Sequence, residues 1–456
     1  MLTYELNKAP GLPLYESLYR CIREDIVTGR LAAGQKLPSK RALAQQLEVS
    51  KVTVETAYNQ LLSEGYIRSR EKAGYFVEAV EVPQKKALPQ AAPPSPPVRG
   101  IDLTANTTAD FPFSVWRKLQ REVVLDVGEK LLAGVPNQGI WELRQAIADH
   151  LAQFRMLRVS AANILIGAGT DFLYNLLIQL LGRDKLYAVE EPGYGKIRKI
   201  YAAGGVECIS APMDEMGVIP EKLQQAQVLH ISPSHHFPTG IVTPMPRRHA
   251  LMQWLQASPQ RWIIEDDYDS EFRFHAHPMP ALQSLDSTGR VIYMNTFSKT
   301  LSASIRISYM VLPDALMEQF QQKLGFYSCT VPSFEQYALS RFLAGGHFEK
   351  HINRMRKLYK SRRDRLVAAI EQSPMASRLT ICEEDAGLHF LVKVDTDLTD
   401  EQLVARCAQA GVHIRSLGSY YHDTPPQTET RSLIVNYSGV QEATLQKLEQ
   451  LLRKGI

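Results

Sequence analysis

The sequence predicts a multi-domain chain, with a small N-terminal α+β unit, a winged helix-turn-helix, ahead of a large C-terminal α/β unit. Three observations carry this reading. Near the N-terminus, two capped amphipathic segments are separated by a short turn and followed by a hairpin pattern. Residues 81–99, EVPQKKALPQAAPPSPPVR, hold six prolines and little apolar periodicity, which marks an extended connector. Beyond it, seven short apolar runs alternate with longer helical patterns, as in a mostly parallel sheet covered by helices. The predicted divisions are 11–78, a linker over 79–100, and 101–456, the last with a large subdomain over about 150–325 and a smaller one from the remainder.

Bulk properties agree with this division. A chain of 456 residues exceeds one ordinary core, and 45% apolar with 22% charged residues is the composition of a globular protein. Its five cysteines are scattered, with no spacing that suggests zinc or a disulfide framework, so no metal site is expected and a reducing compartment is. The opening MLTYELNKAP lacks a charged head followed by an apolar core, and no apolar run approaches the ~20 residues that span a bilayer. The expectation is a cytoplasmic protein with no membrane partner. A net charge of +4 is too small to identify a nucleic-acid binder, so that evidence has to be local.

The local evidence begins with YESLYRCIREDIVTG, where Leu18, Ile22 and Ile26 fall on one helical face that ends at Gly29. In LPSKRALAQQLEVSKVTVETAYNQLLSEGYI, Ser39 can cap a helix carrying Leu43 and Leu47, EVS turns the chain, and Ser50 can cap a second helix carrying Val54, Ala57, Leu61 and Leu62. YIRSR and GYFVEAV around EKAG read as a hairpin with a basic tip, completing a winged helix. Lys51 and Thr53 open the recognition helix, Ser39 and Arg41 open the helix before it, and Arg68, Arg70 and Lys72 line the wing, so this surface suits phosphate and base contact. The competing reading is a packing or dimerisation module with a solvated charged face. The stretch resembles the winged helix of the GntR family of bacterial regulators, departing at Glu48, where glycine is usual, and at Lys51, where arginine is usual. The resemblance implies double-stranded DNA as partner. Lysine at position 51 would weaken any bidentate guanine contact.

In the large unit the predicted strands are NILIG, KLYAV, VECIS, QVLHI, RWIIE, RVIYM and ISYMVL, and the carboxyl ends of such strands are where α/β sheets bind ligands. After the first come Gly169 and Thr170, opening a helix whose free amides can hold a phosphate. EEPGYGK follows the second and presents Tyr194. IEDDYDSEF presents Asp266 and Tyr268, and NTFSKTLSASIRISY presents Thr296, Ser298, Lys299 and Arg306. Pyridoxal phosphate requires this set: a lysine to form a Schiff base with its aldehyde, a carboxylate to keep its pyridine nitrogen protonated, and amides, hydroxyls and an arginine for its phosphate. Lys299 is the candidate catalytic residue and Asp266 the carboxylate. Gly169, Thr170, Thr296, Ser298 and Arg306 form the phosphate group, Tyr194 covers the ring, and Tyr268 bonds the phenolic oxygen. Taken singly, GAGTDF with Glu190 is also a degraded dinucleotide motif, and TFSK resembles a Ser-x-x-Lys nucleophile with threonine in place of serine.

Chain order and spacing resemble fold-type I aminotransferases over most of residues 100–456, and a proline-linked GntR winged helix ahead of such a domain is the architecture of the MocR subfamily of transcription regulators. There are departures. Phe237, after His235 and His236, stands where those enzymes usually place an asparagine against the phenolic oxygen, and Ser308 stands where a glycine is common near Arg306. Arg431, in TETRSLIVNY, falls where the resemblance implies a grip on an effector carboxylate, for which a planar guanidinium fork is suited. The basic run RMRKLYKSRRDR, 354–365, reads as a solvated helix face or a phosphate track. Two functions follow from the resemblance: a DNA-binding regulator that senses an amino compound or pyridoxal phosphate itself, or an active aminotransferase with an accessory DNA-binding domain. Either implies a homodimer, and the regulator implies an operator with two spaced half-sites.

Overall fold

A computed structural model describes residues 4, 13–80, 100–104, 110–223, 225–274, 279–383, 387–423 and 431–453; the predicted connector, 81–99, lies outside the described residues, as do residues 11 and 12 of the predicted first unit. The chain divides into two compact units, Met1–Pro96 and Pro97–Ile456.

In the first unit, helices Leu14–Val27 (α1), Lys40–Gln46 (α2) and Lys51–Ser63 (α3) precede a hairpin of Ile67–Arg70 (β1) and Gly74–Val77 (β2). The spaced apolar residues of α1 are buried against Leu43, Val54, Ala57, Leu61, Ile67 and Val77. Both predicted caps form: Ser39 Oγ accepts from Ala42 N–H at 3.2 Å and Ser50 Oγ from Thr53 N–H at 3.1 Å, each satisfying a donor the helix leaves open. In the turn between α2 and α3, Glu48 adopts φ 53°, a left-handed conformation in which a Cβ costs roughly 1–2 kcal/mol. Glycine, the residue usual at this place in the GntR pattern, would relieve that strain at an entropic cost of about 0.5–1 kcal/mol. Glu48→Gly is therefore expected to slow hydrogen exchange of the α2 and α3 amides by roughly two- to fivefold. Unchanged or faster exchange would mean that the glutamate side chain itself holds the turn.

The second unit carries strands Ile101–Asp102 (β3), Ile164–Gly167 (β4), Tyr187–Glu191 (β5), Cys208–Asp214 (β6), Gly217–Val218 (β7), Val228–Ile231 (β8), Trp262–Asp267 (β9), Val291–Thr296 (β10) and Ser308–Val311 (β11). Except for β3, these form an eight-stranded mixed sheet ordered β4-β11-β10-β9-β8-β5-β6-β7. Neighbours from β10 to β6 run parallel, whereas β11 is antiparallel to both β10 and β4. Strands β4 and β8 to β11 are buried along almost their whole length, which is why they read as continuous apolar runs and not as alternating ones.

Around this sheet lie Phe113–Val127 (α4), Trp141–Phe154 (α5), Thr170–Leu181 (α6), Gly195–Ala203 (α7), Met245–Gln256 (α8), Leu282–Leu285 (α9), Phe297–Thr300 (α10), Asp314–Leu324 (α11) and Ser333–Ala344 (α12). The long helix His347–Glu371 (α13) leads to a four-stranded antiparallel sheet of Leu379–Cys382 (β12), His389–Val394 (β13), Ser432–Asn436 and Arg415–Ser416, while Val412–His413 (β14) pairs with β3. In chain order Arg415–Ser416 is β15 and Ser432–Asn436 is β16. The basic run on α13 is not a solvated face. Arg362 and Arg363 are buried, Arg356 donates to the Glu271 carbonyl, Arg354 to the Asp110 carbonyl at 3.0 Å, and Arg365 pairs with Glu442 at 2.7 Å and Glu449 at 2.9 Å. These arginines tie the helix to its neighbours, and the stretch is no continuous phosphate track.

Candidate functional site

The site gathers at one edge of the large sheet because of how β11 returns. Thr296 at the end of β10 lies opposite Ser308, and Ser308 lies opposite Gly167 at the end of β4. The turn before β11 thus carries Arg306 back beside the start of α6. Arg306 Nη2 donates to the Ala168 carbonyl at 3.2 Å and lies 3.6 Å from Asp171 Oδ2, with its own backbone at φ 51°. Gly169, φ 92°, makes room for this: a Cβ there would stand 2.2 Å from Arg306 Nη2. Thr170 begins α6, and Thr296 Oγ1 accepts from Ser298 N–H at 3.1 Å and from Ser308 Oγ at 2.8 Å. The Ser308 hydroxyl therefore serves as a brace for Thr296, a role glycine has no group to fill.

Lys299 follows within α10, beside Ser298. Burial pushes its ammonium pKa down, against the pull of Asp269, which favours the neutral amine that carbonyl chemistry requires. Asp266 lies on β9 in register with Met294 of β10, so it sits one strand away from the Lys299 turn. Its Oδ2 accepts from the Tyr174 hydroxyl and lies 3.5 Å from His230 Nε2, whereas its Oδ1 is buried with no hydrogen-bond partner among the described residues. An orphaned buried carboxylate oxygen is costly and calls for a donor, which a protonated pyridine nitrogen would supply. Sequence reasoning missed Tyr174 and His230. A histidine inside the apolar strand VLHI was the available signal.

Tyr194 precedes α7, 49% exposed, with the ring of Phe237 edge-on at 6.0 Å. The Phe237 ring also meets His389 at 5.2 Å and Tyr420 at 5.1 Å, so the position that lacks asparagine has become an aromatic contact. His235 and His236 are both fully buried, neither solvent-facing. His236 Nδ1 shares a 2.7 Å hydrogen bond with Thr239 Oγ1, and burial pushes its pKa down to about 3. Glu190 accepts from Ser232 N–H at 3.1 Å, bracing the loop after β8, and burial raises its pKa to about 8. Burial keeps the Tyr268 phenol protonated, and its oxygen lies 3.2 Å from His235 Nδ1.

Arg431 is not brought to this cluster. It is exposed, with φ 63°, and its N–H donates to Asp400 Oδ1 at 2.6 Å. It precedes β16, whose far end, Asn436, pairs with His389, the residue that touches His235 and Phe237. Five residues of strand separate the two, roughly 16 Å. The sequence expectation is corrected: Arg431 is in no position to hold a carboxylate beside Lys299. A cleft does adjoin Lys299, lined among others by Asp110, His351, Tyr359 and Ser438.

On the first unit, Arg41 and Lys51 are exposed at the starts of α2 and α3, and the Ser50 and Thr53 hydroxyls bond each other at 2.8 Å. Arg68 pairs with Glu78 at 3.1 Å, Arg70 lies over the Phe76 ring at 5.0 Å, and Lys72, φ 56°, occupies the wing tip. Val52, absent from the sequence candidates, is 69% exposed on the recognition helix, where an apolar side chain suits a thymine methyl. Helical periodicity puts Val54 and not Val52 in the core, and that was the legible signal.

A winged helix-turn-helix ahead of a sheet that offers lysine, aspartate and a phosphate-type pocket at its strand ends defines a DNA-binding transcription regulator with an aminotransferase-like domain. The chain belongs to the aminotransferase class I and II family, which it matches over residues 98–451, and its residues 14–77 match the gntR family of bacterial regulatory proteins, together the MocR arrangement. It is 36% identical to the uncharacterized HTH-type transcriptional regulator YdeL of Bacillus subtilis over 98% of this chain and 97% of that protein. It is 31% identical to the probable rhizopine catabolism regulatory protein MocR of Rhizobium meliloti over 97% and 93% of the two chains. The crystal structure of an archaeal alanine:glyoxylate aminotransferase shares the fold, with a TM-score of 0.69 at 23% identity over 79% of this chain and 92% of that one. No helix among the described residues is long and apolar enough to cross a membrane.

Proposed function

We propose that the chain is a transcription regulator whose affinity for operator DNA follows occupancy of the Lys299 site by pyridoxal phosphate. The observation that carries this reading is the buried, unpartnered Oδ1 of Asp266 one strand away from the Lys299 turn. When bound, pyridoxal phosphate supplies an aldehyde that condenses with a primary amine and a ring that withdraws electrons. The chain's own residues do the rest. Asp266, held by Tyr174, keeps a proton on the ring nitrogen, and Arg306 with the α6 amides, Thr170, Thr296 and Ser298 binds the phosphate. Tyr194 covers the ring face, and Tyr268 reaches the phenolic oxygen.

Arg431 lies too far away to hold an effector carboxylate, which favours the cofactor itself as signal. An amine read at Lys299 within the adjoining cleft is the second reading. Ser39, Arg41, Ser50, Lys51, Thr53 and the wing residues Arg68, Arg70 and Lys72 bind the duplex. Leu125, 71% exposed on α4, and Leu132, 81% exposed just beyond it, supply apolar surface for a homodimer, which would read two spaced half-sites in cytoplasmic DNA.

The test is binding to a duplex that the full chain selects from a randomised pool. Affinity is expected to change about 5- to 100-fold between cofactor-free and reconstituted protein, with Arg431→Ala behaving as wild type. Equal affinity in the two forms would refute the reading. A change seen only on adding an amine would establish the second one.

A further inference from the structure

With Phe237 in place of asparagine, Tyr268 is left to meet the cofactor's phenolic oxygen, and what matters is where its proton points. The Tyr268 oxygen lies 3.2 Å from His235 Nδ1, and that same nitrogen lies 2.9 Å from Asp269 Oδ2. We infer that His235 and Asp269 form a buried dyad that directs the Tyr268 hydroxyl proton toward the phenolic oxygen of pyridoxal phosphate. The inference rests on the cofactor reading above.

A single ring nitrogen cannot both donate to Asp269 and accept from Tyr268. While Asp269 is a carboxylate, Nδ1 carries the hydrogen and gives it to Oδ2, so Nδ1 offers Tyr268 no lone pair and the phenol is free to donate to a ligand. If Asp269 no longer accepts, Nδ1 becomes the acceptor and draws the phenol proton away from the site. His235 and Asp269 are thus positioning residues, acting through Tyr268.

The surroundings hold this geometry. Gly387, φ 75°, is required beside the ring, because a Cβ there would come within 1.8 Å of His235 Cε1. The Tyr437 hydroxyl pins the same residue by donating to its carbonyl at 2.6 Å. His389, 4.8 Å from His235 between ring centres, shares a hydrogen bond between its Nε2 and the Pro238 carbonyl at 3.0 Å, and burial holds its pKa well below the usual range, so it adds no charge. His236, the neighbour in the loop, is likewise neutral through burial. Burial raises the Asp269 pKa, the neighbouring Asp267 carboxylate adds to the rise, and the contact with His235 pulls it back down. On the other side, His235 and Asp269 line a small pocket with Arg155, Ser234, Ser270 and Arg273. His235 Nε2 and Asp269 Oδ1 are both buried there without a hydrogen-bond partner among the described residues.

A donor on the phenolic oxygen competes for the negative charge that otherwise holds a proton on the cofactor–lysine nitrogen, so the visible band of reconstituted protein reports the dyad as it titrates with pH. Asp269→Leu is expected to raise that titration midpoint by about one to two pH units, as is Tyr268→Phe, and the double variant to shift no further than either alone. A wild-type midpoint in Asp269→Leu, or shifts that add in the double variant, would overturn the dyad while leaving the cofactor site intact. Absence of any visible band in the wild-type chain would instead remove the cofactor reading on which it rests. Should Asp269→Leu fail to fold, Asp269→Ala, which removes the acceptor without adding bulk, is read against the same outcomes.

Discussion

Lys299→Ala is expected to abolish covalent attachment of pyridoxal phosphate. Reconstituted wild-type protein should be yellow, and borohydride reduction should leave the cofactor on the peptide that contains Lys299; the variant should show neither the band nor the label. Complete loss is expected because Lys299 is the described lysine at the strand end whose neutral amine burial favours. Lys196, on α7 next to the phosphate pocket, is paired with Asp171 at 2.6 Å. Burial lowers the Lys299 pKa alone among the described lysines for which a shift is resolved; that of Lys40, tied to Glu55 at 2.7 Å, is raised. A neutral amine is the reactive form. Label retained by the variant, or found on another peptide of the wild type, would show that the site lies elsewhere.

The second large effect is expected from one added methyl group. In Gly169→Ala the new Cβ would stand 2.2 Å from Arg306 Nη2 and 2.5 Å from its Cζ, on a backbone at φ 92° that side chains rarely adopt. The guanidinium is the far end of a flexible chain and moves away, and it then no longer faces the α6 amides. Loss of a charge-assisted contact to phosphate, about 1.5–3 kcal/mol, corresponds to roughly 10- to 150-fold weaker binding of pyridoxal phosphate. Pyridoxal, which lacks the phosphate, should bind both proteins alike. Equal weakening of both ligands would mean that the substitution damages the fold and not the phosphate grip.

Much of this architecture is legible in the sequence because its signals are local. Ser39 and Ser50 appear as caps because a helix start needs an acceptor within three residues, and both form. The seven apolar runs appear as strands because burial on both faces permits no alternation, and each is a strand within two residues of the expected position or a short extension of it. Lys299, Asp266 and Gly169 stand out because strand ends are where an α/β sheet exposes polar groups. The basic run of α13 misled because charge on a line of sequence carries no record of what faces it; Glu442 and Glu449, which hold Arg365, lie 77 and 84 residues away.

By itself, then, the sequence determined the two-part organisation, the helix caps, the strands, and the kinds of residue waiting at their ends. Only tertiary structure decided which of those ends meet. Arg306 reaches the Ala168 carbonyl across 138 residues because β11 runs antiparallel between β10 and β4 and aligns Thr296, Ser308 and Gly167 in one row. Arg431 precedes a strand of the right character but lies at its wrong end, since the register of β16 on β13 places Asn436 and not Ser432 beside His389. His235, Tyr268 and Asp269 come from two strand ends whose order in the sheet no periodicity encodes. The physical reason is range: caps, turns and alternation act over a few residues, whereas strand order and register are settled by which buried faces fit together once the whole chain has folded.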